Sequence, residues 1–290
     1  MVKKRVSALE YEVVTAKKVA GLRVMIVGEP DTGKTTIAAS ASLHPDLSPV
    51  CFLDIDRRLT TLAGYDNILR VSLPTAAHAA QLVRDISKPR DKWPEALREV
   101  NTFVVDSVSL FRDHMLQERA EDATEASSKD RSEYLYEQRD YGFVSNMVAN
   151  LIDKLIQTGC HLILLSHQKT VYQLDNKDFP TDTVLRIEPL LNKRLQTLIH
   201  SMMHHVWYTK RKDAGTFRLL TLPRRPYIVK VTNPNFVGKL KEYTRNEVEE
   251  AKRKAAEGWV TVPYMPDSLP PTLPMLWDMY KDSIEHKLSE

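Results

Sequence analysis

The feature that most constrains this chain is a glycine-bounded motif close to its N-terminal end. It fits the pattern G-x-x-x-x-G-K-[ST] and consists of Gly28, Glu29, Pro30, Asp31, Thr32, Gly33, Lys34 and Thr35. In such a motif successive backbone amides curl around the β-phosphate of a nucleotide, and the glycines permit the turn and the close approach. The apolar run 22–27 before the motif predicts a strand, and the Ala-, Ser- and Thr-rich segment 35–43 predicts a helix. Strand, loop and helix in this order are the context that a phosphate-binding loop requires.

The residue types within the loop predict separate roles. Lys34 is expected to reach the β and γ oxygens of the phosphate chain, and the Thr35 hydroxyl to ligate Mg²⁺, with Thr36 completing the binding stretch. The N-terminus of the following helix directs its dipole at the anion. Glu29 and Asp31 are expected to point outward, because carboxylates facing inward would repel phosphate.

Composition narrows the class of protein. The chain has 290 residues, of which 42% are hydrophobic and 27% charged, and this balance excludes a wholly disordered or fibrous protein. No apolar run approaches the roughly 18 residues that a membrane span needs, so no membrane association is expected. The basic N-terminus lacks the apolar core of a signal peptide. Cys51 and Cys160 lie in apolar runs and are interpreted as reduced core residues, which suits a cytoplasmic location.

Strand-like and helix-like segments alternate as far as residue 165, which predicts an α/β fold with a mostly parallel central sheet flanked by helices. Predicted strands are 22–27, 50–56, 67–73, 102–106 and 160–165, with helices at 75–86 and 144–156. Further on, 169–189 is interpreted as an irregular polar segment, 190–203 as a helix, 206–208 and 216–222 as antiparallel strands, 242–257 as a charged helix and 263–274 as a proline-rich strap. The predicted organisation is an N-terminal arm (1–20), a nucleotide-binding core (21–230) and a C-terminal helical and Pro-rich extension (231–290).

Carboxylates at strand ends provide the remaining chemistry. Asp106 ends the strand 102–106 and is the best choice to hold Mg²⁺ through water, since ligands bind at the carboxyl edge of open α/β sheets. Ser107 follows it where many hydrolytic ATPases place a glutamate that polarises water. Asp56 is therefore the first choice as general base, with Asp54 as an aid; both could instead simply cap a strand end.

Positive charge is concentrated in one part of the chain. Residues 186–254 contain 16 Lys and Arg against 6 Asp and Glu, whereas the whole chain has 41 against 38. This concentration fits either a surface that meets a polyanion or scattered solvated side chains. His200, His204 and His205 lie close together in sequence, but no Cys or matched acid completes a metal site, and a structural role is preferred.

Four features in order carry a family resemblance: the phosphate loop, the acid-tipped strand 50–56, Val104-Val105-Asp106-Ser107, and a strand ending in Ser166-His167-Gln168. Over about 21–222 the chain resembles the RecA-like ATPases, in particular the compact phage-encoded recombinase and single-strand-annealing group. The resemblance implies a RecA-like core, ATP and Mg²⁺ as ligands, and, if phage-encoded, the host cytoplasm. It also implies that Gln168, or its neighbour His167, senses the γ-phosphate. The family usually has Glu where this chain has Asp56.

The family also binds single-stranded DNA through two loops, which match 118–133 and 169–186 here. The first is mainly acidic, which departs from what a phosphate-tracking loop needs. The second interleaves cations with aromatic rings that could stack on bases, although an ordinary solvated loop stays open. Its residues are Lys169, Tyr172, Lys177, Phe179 and Arg186.

The resemblance further implies a homo-oligomer, filament or ring, in which a neighbour's cation completes the site. Arg211, within Lys210-Arg211-Lys212, is the first choice for that cation, and a solvated hairpin turn is the alternative. The expected function is ATP-dependent action on single-stranded DNA in recombination, annealing or repair, with a single-strand-binding or replication protein as a further partner. The alternative is a nucleotide-gated loader or scaffold with little hydrolysis. A P-loop kinase is disfavoured because no basic lid for a phosphate acceptor is visible.

Overall fold

The strands of the structure, a computed structural model, form one continuous sheet with strand order β10-β8-β7-β1-β5-β4-β2-β3. The structure describes residues 21–55, 62, 64–125, 136–174, 180–213, 216–221, 225–231, 259–263, 273–274, 276–278 and 281. The strands are β1 (Arg23–Gly28), β2 (Val50–Asp54), β3 (Ile68–Ser72), β4 (Thr102–Asp106), β5 (His161–Leu174), β6 (Pro180–Pro189), β7 (His205–Asp213), β8 (Thr216–Leu220), β9 (Lys230–Val231) and β10 (Trp259–Pro263). The predicted α/β class with a mostly parallel sheet is confirmed.

The parallel part of the sheet, which has six strands, places their carboxyl ends on one side. β1 pairs in parallel with β5 on one side and with β7 on the other, and β4 lies between β5 and β2. Asp54 and Asp106 stand opposite each other in the register of β2 and β4. Because the carboxyl ends of parallel strands meet at one edge, the phosphate loop and both carboxylates lie on the same side of the sheet.

Helices cover both faces of this sheet. They are α1 (Lys34–Ala39), continued by a 3-10 turn (Ser40–Leu43), α2 (Ala76–Ile86), α3 (Glu95–Arg98), α4 (Val108–Glu125), α5 (Gln138–Gln157) and α6 (Lys193–Met202). The helix predicted at 144–156 is confirmed within α5, whose apolar stripe of Val144, Val148, Leu151, Ile152 and Leu155 is buried. Thr75 caps α2, because its side-chain oxygen accepts from the His78 amide. No helix among the described residues is long and apolar enough to cross a membrane.

The two faces of the sheet are packed by different kinds of segment. The larger hydrophobic cluster joins one face to α2, α4, α5 and α6. The smaller cluster joins the other face to α1 and to three residues near the C-terminus, Leu273, Leu276 and Trp277. The Trp277 indole Nε1 donates to Asp46 Oδ2 at 3.1 Å, and its ring meets His161 edge-on. A C-terminal segment thus completes the face that holds the phosphate-loop helix.

Two predictions about individual segments need correction, and a third is confirmed and extended. The described parts of 169–189 are not irregular: β5 continues to Leu174 and pairs with the antiparallel strand β6, because the consecutive residues Thr170, Val171 and Tyr172 all favour strands. The stretch 206–208 pairs with β8 as predicted, but it also pairs in parallel with β1. Residues 118–125 of the first predicted DNA loop lie in helix α4, and Glu118 accepts a hydrogen bond from the Ala76 amide.

Several other predictions fall outside the described residues, namely the arm 1–20, the helix 242–257, and 126–133 of the first DNA loop. Of the C-terminal extension, β10 pairs antiparallel with β8. The boundaries proposed for the arm, core and extension stay predictions.

Candidate functional site

The phosphate loop joins β1 to α1 through two left-handed residues. Asp31 has φ 57° and Gly33 has φ 82°. Left-handed residues in a tight turn allow successive backbone amides to face one anion, and glycine adopts this conformation at no steric cost. Helix α1 begins directly afterwards at Lys34. The backbone therefore has the shape that the motif predicts for phosphate binding.

Gly28 is required by close packing. A Cβ atom at this position would overlap the hydroxyl oxygens of Thr209 and Thr32 and the Thr209 carbonyl oxygen. Any larger residue would push the loop away from β7. The first glycine of the motif therefore serves contact with a neighbouring strand.

Lys34 is buried and lies under the loop. Its Nζ donates to the carbonyl oxygens of Gly28, at 3.1 Å, and Glu29, at 2.6 Å. Burial lowers the pKa of this lysine to about 8, although the nearby carboxylates of Asp106, Asp31 and Glu29 act in the opposite direction. A phosphate chain would offer Nζ charged acceptors and would favour its protonated form. As predicted, Glu29 and Asp31 are exposed.

A pair of oxygen ligands stands at the start of α1. The Thr35 hydroxyl donates to Asp106 Oδ2 at 2.8 Å, which joins the phosphate loop to the end of β4. Mg²⁺ prefers oxygen ligands and is commonly held by one or two protein oxygens plus waters and phosphates. These two side chains fit that requirement. No group of three or more His, Cys, Asp or Glu positioned for a metal occurs in the described part of the chain.

Of the two carboxylates proposed for water activation, the structure describes only Asp54. Asp54 is only 1% exposed, and its Oδ2 accepts from Arg70 on β3, with Nε at 2.8 Å and Nη2 at 2.6 Å. This ion pair holds the carboxylate in place. Asp56, the first choice as base, lies outside the described residues.

Gln168 touches the phosphate loop. Its Nε2 donates to Glu29 Oε1 at 3.0 Å in a solvent-exposed contact. The sequence predicted Gln168 as a sensor of the γ-phosphate, and the structure brings it to the loop that would hold that phosphate. Its sensing role stays a prediction.

Thr209 was missed by the sequence reasoning. It lies on β7 opposite Gly28, and its Oγ1 is 2.7 Å from Thr32 Oγ1. The available signal was weak: Thr209 ends an apolar stretch, as Asp106 does, but nothing in the sequence shows that β7 pairs with β1.

The predicted DNA-binding residues are divided between the faces of the β5–β6 hairpin. Lys169 and Arg186 share one face, and both pair with the buried Glu188, at 3.1 and 2.7 Å. Tyr172 belongs to the opposite face and is 44% exposed. Lys177 and Phe179 lie outside the described residues.

The other predicted residues are spread over the second half of the chain. Arg211 lies within β7, beyond the point where β7 pairs with β1. Burial lowers the pKa of His205 to about 3 and of His204 to about 4, which favours neutral imidazoles.

Comparison with known proteins gives one informative result. No curated protein matches the chain. A family model described as "AAA domain" matches residues 20–244, a range that contains the phosphate loop, Asp106, Gln168 and Thr209. Since this range covers most of the chain, the protein belongs to the AAA domain family of P-loop nucleotide-binding ATPases.

Proposed function

We propose that this protein binds ATP with Mg²⁺, hydrolyses it, and uses the cycle to act on single-stranded DNA in recombination, annealing or repair, as in the phage recombinase group it resembles. One observation carries the proposal that the protein binds nucleotide. The Thr35 hydroxyl and Asp106 are 2.8 Å apart at the phosphate loop, which also contains the buried Lys34. Two side-chain oxygens of the kind that Mg²⁺ prefers, a buried lysine and a helix N-terminus lie together at one sheet edge, which supports the proposed binding of ATP with Mg²⁺.

The chain's own residues divide the work. Lys34 leaves the carbonyls of Gly28 and Glu29 and turns to the β and γ oxygens. Thr35 and Asp106 hold Mg²⁺, which when bound neutralises charge developing on the phosphate oxygens. Asp56 orients and deprotonates the attacking water. The Asp54–Arg70 pair fixes the end of β2, from which Asp56 follows.

The β5–β6 hairpin is the proposed contact with DNA. It begins at Gln168, which touches the phosphate loop, so a change at the γ-phosphate has a direct path into the hairpin. Tyr172 offers an exposed ring on which a base can stack. Lys169 and Arg186 already pair with Glu188, so stacking contributes more to this contact than phosphate charge does.

The protein acts as a homo-oligomer. In a filament or ring, Arg211 of one copy supplies positive charge to the nucleotide of its neighbour, and a single-strand-binding or replication protein is a further partner. The position of Arg211 on β7, beyond its pairing with β1, supports this role.

The test begins with nucleotide binding. Lys34→Ala should weaken ATP–Mg²⁺ binding by about 100-fold in calorimetry and abolish turnover, because it removes a buried charge that pairs with phosphate. Lys92→Ala, which alters an exposed lysine in the 3-10 turn Arg90–Lys92, is the matched control and should bind as the wild type does. Normal ATP turnover in the Lys34→Ala protein would refute the site.

A second function is favoured by the Asp54–Arg70 ion pair, which engages one of the two carboxylates proposed for catalysis. In that case the protein is a nucleotide-gated loader or scaffold of a replication complex and hydrolyses little ATP. Measuring ATP turnover with and without single-stranded DNA at a stated salt concentration separates the two. Strong stimulation supports the ATPase, whereas nucleotide binding without turnover or DNA affinity supports the scaffold.

A further inference from the structure

One polar contact between strand β7 and the phosphate loop continues into two further contacts within the loop. The Thr32 hydroxyl donates to the Glu29 carbonyl oxygen at 2.8 Å. Its single proton is then used, so Thr209 Oγ1, 2.7 Å away, donates in the contact between the two threonines. The Val27 carbonyl oxygen is a second and more distant acceptor for the Thr209 hydroxyl, at 3.4 Å. The same Glu29 carbonyl also accepts from Lys34 Nζ at 2.6 Å. A chain of hydrogen bonds therefore runs from β7 to the carbonyl that positions the phosphate-binding lysine.

We propose that Thr209 is a positioning residue for the phosphate loop, which sets the affinity for nucleoside triphosphates by holding Thr32 and, through it, the Glu29 carbonyl. The proposal rests on the proposed function only in that the loop binds nucleotide. Thr209 is 2% exposed and Thr32 is 4% exposed, so water has little access to replace the lost partner. A buried hydroxyl that loses its partner carries a desolvation cost, unlike one at the surface.

The position of Thr209 along β7 gives this contact a second consequence. Gly28–Thr209 is the last pair between β1 and β7, and β7 then continues to Asp213 paired with β8 alone. Thr209 thus stands where the β7–β8 hairpin extends beyond the end of β1. A displacement of the hairpin base is transmitted directly to Thr32.

Two substitutions at Thr209 provide the test. Thr209→Val keeps the branched shape that a strand favours and removes only the hydroxyl. It should weaken ATP–Mg²⁺ binding about tenfold, the effect of one buried hydrogen bond. Thr209→Ser restores the donor and should bind within about twofold of the wild type. In steady-state kinetics Thr209→Val should raise KM and leave kcat within about twofold, because the loop holds ground state and transition state alike.

The outcomes are distinct. If the wild type binds no nucleotide, the proposed function fails. If the wild type binds and Thr209→Val binds equally well, or Thr209→Ser is as weak as Thr209→Val, the inference fails alone. Should Thr209→Val not fold, Thr32→Val removes the same contact together with the Thr32–Glu29 hydrogen bond, and wild-type affinity in that folded variant overturns the inference.

The double variant checks the mechanism. Thr32→Val and Thr209→Val together should bind ATP no more weakly than Thr32→Val alone, because both remove one interaction. Losses that add fully would show that Thr209 acts by another route and would overturn the inference.

Discussion

The two strands that flank β1 support the phosphate loop in different ways. Both β5 and β7 run parallel to β1, and both continue past the sheet edge into a hairpin. On the β7 side the contact is buried, between the hydroxyls of Thr209 and Thr32. On the β5 side it is exposed, between the Gln168 amide and the Glu29 carboxylate. Water cannot readily replace a buried hydrogen bond, so the contact with β7 holds the phosphate loop in one shape. An exposed hydrogen bond exchanges readily with water, so the contact with Gln168 can break and re-form, which its proposed sensing role requires.

The largest effect is expected where the β7 flank allows no atom to be added. Gly28→Ala places a Cβ against the Thr209 and Thr32 hydroxyls and should separate β7 from the loop. ATP binding measured by calorimetry should fall by about 100-fold, the upper end of the cost of overpacking.

Gly142→Ala is the matched control for that substitution. Gly142 lies within α5, and the nearest atom to an added Cβ is an Arg194 nitrogen at 3.9 Å. This change should leave ATP affinity unchanged and stabilise the fold by about 0.5–1 kcal/mol, because alanine favours a helix. Equal ATP affinity in the Gly28 and Gly142 variants would show that the β7 flank does not restrict the loop.

An intermediate effect is expected from the charge of Lys34. The contacts of the loop with β5 and β7 help to position this lysine, but they do not determine its protonation. Because burial lowers the pKa of this lysine to about 8, the free protein loses the proton as the pH rises above that value. Bound phosphate favours the protonated form, so ATP affinity should fall about tenfold per pH unit above pH 8, with proton uptake on binding. Calorimetry from pH 7 to 9.5 in buffers of different ionisation enthalpy measures both.

The same pH titration, applied to variants of the two flanking strands, separates their contribution from that of the Lys34 charge. Thr209→Val and Gln168→Ala should show the same pH midpoint as the wild type, since neither changes the burial of Lys34. A constant affinity across this pH range would mean that Lys34 does not gain its proton from the bound phosphate.

The smallest effect is expected on the β5 flank. Gln168→Ala removes an exposed hydrogen bond to Glu29 and should change ATP affinity by less than about threefold, because water replaces the lost donor. Glu29→Gln, which keeps an acceptor for Gln168, is the control. A tenfold or greater loss of ATP affinity in Gln168→Ala would show that the contact with β5 supports the loop as strongly as the contact with β7 does.

Local patterns predicted the parts of the site that are contiguous in sequence. The eight-residue motif predicted the loop, and the apolar run ending at Asp106 predicted a carboxylate at the sheet edge, where it meets Thr35. The helix at 144–156 was equally predictable, because its apolar period depends on residues only three or four positions apart. The partner of Asp54 could not be predicted in this way, since Arg70 reaches it from an adjacent strand whose pairing the sequence does not state.

From the sequence alone one can predict the phosphate loop, the lysine within it and the alternation of strands and helices along the chain, because each depends on residues a few positions apart. Only the tertiary structure decided that β7 lies beside β1, which joins Thr32 to Thr209 across 177 positions. It also decided that Leu273 and Trp277 cover the face of the sheet that carries α1. Distant apolar segments compete for the same sheet edges and faces, and which of them pack together depends on the free energy of the whole core.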